Sequence, residues 1–227
     1  AGEILGIAGV EGNGQAEILD ALMGIESATG RVRFKGEDIT NKSTRHRREL
    51  GIDESLVVMY AGNVGFSQSL ELMIEAARVL PDVVFVINGE GAARKSLEAK
   101  AKTLRNVKFG DYQDASRLSE VLATGDLHVV PLRRGLGSVS VPSKTYSILA
   151  AGRPICAAID SDTEVPRILA AANAGVCVEP DNQEAFVSAI TAMISDRKSL
   201  EEMGASGRKW VEGHASAQSV AQRYEAL

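Results

Sequence analysis

A lysine stands in the first turn of a predicted helix, within the stretch Val139-Ser-Val-Pro-Ser-Lys-Thr-Tyr146. Pro142 suits the start of that helix because its missing N–H would be unpaired there, and Gly152 suits the position just past its end. Backbone N–H groups and the positive end of the helix dipole favour an anion at a helix N-terminus. Lys144 opposes this dipole, so its position is unfavourable unless an anion binds. The pattern indicates an anion site, or else an exposed lysine on a surface helix.

Glycines follow three predicted strands, at Gly62, Gly89 and Gly110. In open α/β sheets, ligands bind outside the carboxyl ends of the strands, where glycine lets the backbone approach closely. Turns between a strand and a helix need glycine in any case. The three together therefore indicate a binding edge more strongly than any one of them alone.

A glycine-rich loop, Gly9-Val-Glu-Gly-Asn-Gly-Gln-Ala16, lies between the predicted strand Glu3–Ala8 and the predicted helix Glu17–Met23. This order is the context of a phosphate loop. Gln15 replaces the expected lysine, and Ala16 replaces the Ser or Thr that holds magnesium. A tight turn without catalysis is therefore favoured over an ATPase site. The candidate loop residues are Gly9, Gly12, Asn13, Gly14 and Gln15.

Apolar runs typical of buried strands alternate with helical periodicity along the rest of the chain. The predicted strands are Ser55–Ala61, Val83–Ile87, Val107–Phe109, Leu127–Pro131, Ile155–Ile159 and Gly175–Glu179. The predicted helices, besides the one that contains Lys144, are Ser69–Leu80, Ala92–Leu104, Ala115–Ala123, Glu164–Ala172, Asn182–Ser195, Leu200–Val211 and Ser216–Leu227. This alternation predicts an α/β fold with a doubly wound, mainly parallel sheet.

Composition narrows the possible partners. The formal net charge is −5 and aromatic residues make up 4% of the chain, which argues against a nucleic-acid partner. Cys156 and Cys177 lie in apolar runs, as expected for inert thiols in a reducing compartment, so a cytoplasmic location is predicted. The three histidines do not cluster in sequence, and no metal site is expected.

Two segments near the start, Gly2-Glu-Ile-Leu-Gly-Ile-Ala-Gly-Val-Glu-Gly-Asn-Gly-Gln15 and Gly30–Thr40, resemble the beginning of a second nucleotide-binding cassette of sugar- or nucleoside-type ABC importers. Such second cassettes often carry a degenerate phosphate loop. The resemblance ends near Arg48, and neither a cassette signature nor a switch histidine follows. This piece is therefore not expected to run a cassette cycle by itself.

Five later blocks are Val57–Gly65 (VVMYAGNVG), Val84–Gly91 (VFVINGEG), Leu127–Leu132 (LHVVPL), Val141–Lys144 (VPSK) and Leu149–Pro154 (LAAGRP). In order and spacing they resemble the C-terminal, donor-binding half of retaining glycosyltransferases of family four, which have the GT-B fold. The resemblance implies a Rossmann-like domain that binds a nucleotide-sugar. A UDP-sugar is expected first and a GDP-sugar second, with no required cofactor or metal.

The resemblance also implies site residues. In such enzymes the Gly62–Gly65 turn and the loop before the Lys144 helix embrace the donor diphosphate, with Ser143 and Lys144 facing the phosphates. The loops after the next two strands border the base and the ribose. The implied binding residues are Gly62, Asn63, Gly65, Gly89, Glu90, Gly91, Asp111, Tyr112, Ser143, Lys144 and Ser147. No catalytic residue is assigned.

The chain departs from the family pattern in three ways. Many relatives carry a pair of glutamates near Val139 and Ser147, and a basic residue after the glycine turn, all of which are absent here. Neutralisation of the diphosphate would then depend on Lys144, helix N–H groups and Arg133 or Arg134. An N-terminal acceptor domain is also missing from the sequence, so transfer is expected to be weak or absent without such a domain or a membrane-linked acceptor.

The two resemblances suggest a chimera, natural or engineered, with a cassette-like strand, loop and helix in residues 1–50 and the glycosyltransferase-like domain in residues 51–227. A piece this short is unlikely to bury enough surface alone, so we expect it to pack on the rest. The residues expected to be buried there are Ile4, Leu5, Ile7, Leu19 and Leu22.

Three functions stay open at this point. The first is a nucleotide-sugar-binding domain of a glycosyltransferase. The second is an α/β protein without activity, because fold does not imply function. The third is an ATP-binding fragment of a transporter, which Gln15 and Ala16 make less favourable.

Overall fold

The computed structural model describes residues 18, 21–22, 29–40, 42, 55–137, 142–215 and 219. The chain divides into two compact units, Ala1–Glu54 and Ser55–Leu227. The candidate phosphate loop at Gly9–Gln15 lies outside the described residues, as does nearly all of the predicted helix Ser216–Leu227. The assignment of residues 1–50 as a cassette-like piece packed on the rest stays a prediction.

The described part of the first unit contains an antiparallel hairpin of β1 (Arg33–Phe34) and β2 (Glu37–Asp38). Its two-residue turn has positive φ at Lys35 (49°) and Gly36 (87°), as the twist of a tight hairpin requires. Ile18 and Leu22 are helical, in agreement with the predicted helix Glu17–Met23. The prediction that Leu22 is buried is wrong: Ile18 and Leu22 lie four residues apart on one helix face, and 40% of Leu22 is exposed.

The second unit alternates strands and helices, which confirms the predicted fold class. Its strands are β3 (Val57–Ala61), β4 (Val84–Asn88), β5 (Val107–Gly110), β6 (Leu127–Pro131), β7 (Ile155–Ala158) and β8 (Gly175–Val178). Its helices are α1 (Glu71–Val79), α2 (Arg94–Ala101), α3 (Leu118–Thr124), α4 (Lys144–Ala150), α5 (Glu164–Ala172), α6 (Gln183–Ile194) and α7 (Arg197–His214), with a 3₁₀ turn at Ala115–Arg117 before α3.

The six strands form one parallel sheet in the order β5-β4-β3-β6-β7-β8. The chain thus winds outward from β3 in one direction, then returns to β6 and winds outward in the other. This is the Rossmann order, and ligands bind such sheets where the winding direction reverses, here between β3 and β6. β3 pairs with β4 along its whole length, but with β6 only at Val58↔Leu127 and Met59↔His128.

Both faces of the sheet are buried. One core packs β-strand residues such as Phe85 and Ile87 against α1, α2 and α6, with Phe186 completely buried. The other core packs Val130 and Ala157 against α4 and α5. Burial on both faces explains why the strands read as continuous apolar runs in the sequence. No described helix has the length and hydrophobicity needed to cross a membrane.

One polar side chain, His128 on β6, is completely buried. Its Nε2–H donates to the carbonyl oxygen of Leu122 at 2.8 Å, and Arg153 donates to the carbonyl oxygen of Ala123 at 2.5 Å. These two bonds satisfy carbonyl groups at the end of α3 and fix that helix to the sheet. Burial lowers the pKa of His128 to about 4, so the imidazole is neutral at pH 7.

We expect acid to destabilise the protein through His128. Its pKa is about 4 when folded and about 6.5 when unfolded. The neutral ring therefore makes its full contribution to the free energy of unfolding above pH 6.5. As the pH falls towards 4, roughly 3 kcal/mol of that contribution is lost. Urea unfolding at pH 7 and pH 4.5 should show a smaller acid effect in His128→Gln, whose amide can still donate to Leu122. The exposed-site control His214→Gln should behave as wild type, and equal pH dependence in all three proteins would contradict the expectation.

Candidate functional site

A cavity of about 340 Å³ lies at the carboxyl ends of the strands, on the side where the winding direction reverses. Its walls come from the residues after β3, β4 and β5, from one side of α3 and from the start of α4. The lining residues are Ala61, Gly62, Asn88, Tyr112, Gln113, Asp114, Leu118, Val121, Leu122, Ser143, Lys144 and Ser147.

The side chain of Lys144 supplies the positive charge in this cavity. Its Nζ lies 3.9 Å from the ring centroid of Tyr60, on the face of the ring. A Cβ atom added to Gly62 would approach that Nζ to 2.8 Å, so glycine at this position makes the space for the ammonium group. The ammonium group is therefore confined between an aromatic face and the backbone of the glycine turn.

The charge of Lys144 is not neutralised by the protein. Among the described residues, no carboxylate lies within ion-pair distance of its Nζ, whereas Lys100 and Lys198 each pair with a glutamate. Loss of water lowers the pKa of Lys144 to about 8. A cation removed from water without a counter-ion favours the arrival of an anion.

The turn that follows β3 is held by its own polar contacts. The hydroxyl of Tyr60 donates to the carbonyl oxygen of Asn63 at 2.6 Å, and the N–H of Gly65 donates to the side-chain oxygen of Gln68 at 3.0 Å. Burial raises the pKa of the Tyr60 phenol, which keeps the hydroxyl protonated as a donor. The turn is thus held by hydrogen bonds within the protein.

Gly89 and Gly91 let the end of β4 pack directly against this turn. A Cβ atom on Gly89 would lie 2.0 Å from the carbonyl oxygen of Gly62, and one on Gly91 would lie 2.2 Å from that of Val64. Their φ values of 135° and 157° are also ones that side chains rarely adopt. Both glycines support the wall of the cavity from behind and do not line it, and their contact with a ligand stays a prediction.

Arg94, at the start of α2, forms ion pairs with Glu90 and Asp111, two carboxylates that the sequence suggested as ligands. Its guanidinium group contacts Glu90 at 2.6 Å, Asp111 at 2.9 Å and Glu98 at 2.8 Å. It also donates to the carbonyl oxygens of Gly89 and Gly110, which end two neighbouring strands. Glu90 and Asp111 therefore hold the strand ends together and are not in the cavity lining, and a direct role in binding stays a prediction for both.

The part of the cavity wall that α3 supplies is largely apolar. It consists of Leu118, Val121 and Leu122 on α3, and Tyr112 stands at its edge with 73% of its surface exposed. Asp114 lies at the same edge and accepts from the N–H and the hydroxyl of Ser116, which begin the turn into α3. These contacts lower the pKa of Asp114 and keep it ionised. The cavity thus has one cationic end and one apolar wall.

Arg133 and Arg134 do not line the cavity. Arg133 pairs with Glu71 at 3.4 Å and with Asp181 at 3.7 Å, while Arg134 pairs with Glu179 at 3.3 Å. Both are paired with carboxylates, and the expectation that one of them neutralises a diphosphate stays a prediction. Asp181, in the loop that follows β8, also accepts from the N–H of Arg134 at 3.0 Å.

Five of the predicted site residues meet in the cavity: Gly62, Tyr112, Ser143, Lys144 and Ser147. Asn63 and Gly65 belong to the adjoining turn. Ser143 occupies the N-cap position of α4, but its side chain makes no capping hydrogen bond and is exposed to the cavity. The sequence gives no sign that Tyr60 contacts Lys144, because a tyrosine within a buried strand resembles any other core residue. No cluster of metal-ligating side chains occurs in the described part of the chain.

Residues 42–210 match the family of glycosyl transferases group 1, so the chain belongs to this family. A putative colanic acid biosynthesis glycosyl transferase of Escherichia coli K12, WcaI, is 36% identical over 143 residues, which cover 61% of this chain and 35% of that protein. Three curated glycosyltransferases matched by this chain are longer, and the chain spans only 35% to 45% of their length.

Solved structures with the same fold include a domain of a glycosyl transferase group 1 family protein. The C-terminal domain of LpcC from Francisella tularensis has a TM-score of 0.62 at 21% identity, covering 78% of this chain and 94% of that one. Anabaena HepE, solved in complex with UDP-glucose, has a TM-score of 0.63 at 17% identity, covering 81% of this chain and 52% of that one. The second unit is thus one Rossmann-like half of a GT-B fold.

A shorter similarity points to transporters. The guanosine import ATP-binding protein NupO of Bacillus subtilis is 45% identical over 53 residues, which cover 23% of this chain and 10% of that protein. Both families suggested by the sequence are therefore found among the relatives.

We expect Gly89→Ala to unfold or severely destabilise the protein, because the new Cβ would overlap the carbonyl oxygen of Gly62. The loss in the free energy of unfolding should be about 3 kcal/mol or more. Gly135→Ala is the matched control: Gly135 also has a positive φ, 80°, but its Cβ would meet no atom within 4 Å. That variant should lose only about 1–2 kcal/mol from backbone strain. Equal losses in urea unfolding would show that the close approach at Gly89 is unimportant.

Proposed function

We propose that the cavity binds the nucleotide part of a nucleotide-sugar, with a UDP-sugar as the expected donor. The observation that carries this proposal is the uncompensated ammonium group of Lys144 in a cavity that also has an apolar wall. A nucleoside diphosphate has parts that match both features, with anionic phosphates at one end and a flat base at the other. The volume of about 340 Å³ lies in the usual range for small-molecule sites.

In the proposed complex the diphosphate contacts Lys144 and the hydroxyl of Ser143, beside the Gly62 turn. The nucleoside extends along Leu118 and Val121, where Tyr112 covers the base. Ser147, one helical turn after Ser143, faces the ribose. α4 has only seven residues, so its dipole adds little, and Lys144 is the main source of positive charge.

The same geometry suits departure of the nucleoside diphosphate when the sugar is transferred. Negative charge grows on the leaving phosphate as the bond to the sugar breaks, and a fixed cation at that point lowers the barrier. Lys144 is fixed by Tyr60 and Gly62 before any ligand arrives, so little reorganisation is needed. Relatives with this fold include a protein solved with UDP-glucose, which supports the choice of donor.

Transfer itself needs an acceptor, and we propose that it is supplied by a further domain or by a membrane-linked molecule. The proposed location is the cytoplasm. The proposal also includes a two-part origin, with a segment of an importer cassette before the glycosyltransferase domain. The 53-residue similarity to NupO and the separate compact unit Ala1–Glu54 support this origin.

Calorimetric titration with UDP, GDP and ATP tests the proposal. We expect wild type to bind UDP, and Lys144→Ala to raise the dissociation constant about 10- to 100-fold, because a charge-assisted contact to phosphate is lost. Lys198→Ala removes an exposed lysine outside the cavity and should bind as wild type. No heat with UDP or GDP at millimolar concentration, or unchanged binding in Lys144→Ala, would refute the proposal. A preference for ATP would favour the transporter alternative.

UDP binding should weaken as the pH rises from 7 to 9. The pKa of Lys144 is about 8 in the free protein, and a bound diphosphate raises it, so binding takes up a proton at pH 9. The dissociation constant should increase about 10-fold over this range, since roughly a tenth of the free lysine is protonated at pH 9.

Lys144→Arg is the control for this pH effect. A guanidinium group stays charged throughout this range, so the pH dependence should disappear even if the affinity at pH 7 is lower. Titration in two buffers of different ionisation enthalpy measures the proton uptake directly. The same pH dependence in wild type and Lys144→Arg would show that another group controls binding.

A further inference from the structure

We propose that Tyr60 is a positioning residue: its aromatic face holds the ammonium group of Lys144 where a diphosphate binds, and its hydroxyl fixes the ring to the glycine turn. This inference rests on the proposed function and adds a residue that does not itself line the cavity. It concerns the only aromatic ring that contacts Lys144 among the described residues.

The first argument is the position of the charge. The Lys144 Nζ is 3.9 Å from the Tyr60 centroid, well inside the distance of about 6 Å within which a cation is attracted by an aromatic face. Tyr60 is completely buried in β3, between β4 and β6, so its ring has no room to move. A rigid ring beneath a flexible side chain restricts the end of that side chain to one place.

The second argument is the link to the turn. The Tyr60 hydroxyl donates to the carbonyl oxygen of Asn63 at 2.6 Å, and Gly62 forms the other side of the space around Lys144. One side chain therefore fixes both the cation and the turn that faces it. Any shift of the ring would therefore change the distance between Lys144 and the Gly62 turn.

The third argument is chemical. A carboxylate in place of the ring would also hold Lys144, but it would cancel the charge and compete with phosphate for the ammonium protons. An aromatic face attracts the cation through its quadrupole and carries no net charge. The lysine therefore stays positioned and keeps its full charge for an incoming anion.

Two substitutions separate the ring from the hydroxyl. Tyr60→Phe keeps the ring and loses the bond to Asn63, whereas Tyr60→Leu loses both. In ¹³C-lysine-labelled protein, the Hε signal of Lys144, assigned with Lys144→Met, should be shifted upfield by the ring in wild type and in Tyr60→Phe. The shift should vanish in Tyr60→Leu. This measurement needs no nucleotide, and an unshifted signal in the wild-type protein would overturn the inference.

UDP titration then measures the consequence for binding. Tyr60→Leu should raise the dissociation constant about 3- to 30-fold, and Tyr60→Phe by less. In a Lys144→Met background, Tyr60→Leu should have no further effect, because the ring acts through the lysine. An equal loss in both backgrounds would assign Tyr60 a merely structural role and overturn the inference.

The two proposals fail in different ways. Wild-type protein that does not bind UDP at millimolar concentration overturns the proposed function and this inference with it. Wild-type protein that binds UDP, with unchanged affinity in Tyr60→Leu, overturns the role of Tyr60 alone.

Discussion

The confinement of one ammonium group determines the rest of this site. Lys144 is partly removed from water, lies on the ring of Tyr60 and has no carboxylate partner among the described residues. Such an arrangement is unfavourable in isolation, and proteins keep unfavourable charges mainly at functional sites. The missing Cβ of Gly62 and the buried ring of Tyr60 are both needed to accommodate it.

The parallel sheet provides the rigid frame for this charge. Its strand ends are joined by backbone contact where Gly89 meets Gly62, and by the guanidinium group of Arg94, which contacts the ends of both β4 and β5. On the other side, His128 and Arg153 fix the end of α3, the helix that forms the apolar wall. Each wall of the cavity is therefore attached to the sheet by contacts that need no ligand, which keeps the site preformed.

The sequence predicts the sheet well and the site in part. Parallel strands buried on both faces read as continuous apolar runs, so β3 to β8 were placed within about two residues. Lys144 and Ser143 were found because they stand at a helix start with a proline before it. Tyr60 acts through Lys144, which is distant in sequence, so no local pattern reveals its role. Arg94 pairs locally with Glu90 and Glu98, but its contact with Asp111 joins two strand ends and has no local signal. The family resemblance implies Glu90 and Asp111 as ligands, and in the structure both pair with Arg94.

The sparse pairing of β3 with β6 has a mechanical consequence. β3 and β6 pair at only two positions along the sheet, and the side chain of Asp126 accepts one further bond from the N–H of Val57. Two polar contacts connect the two halves of the sheet. Ser69, which follows β3, donates to Asp181, which follows β8. Arg133, which follows β6, donates to Glu71 on α1. These contacts join the two halves of the sheet at the carboxyl ends of the strands, so opening the crevice between β3 and β6 would require breaking them.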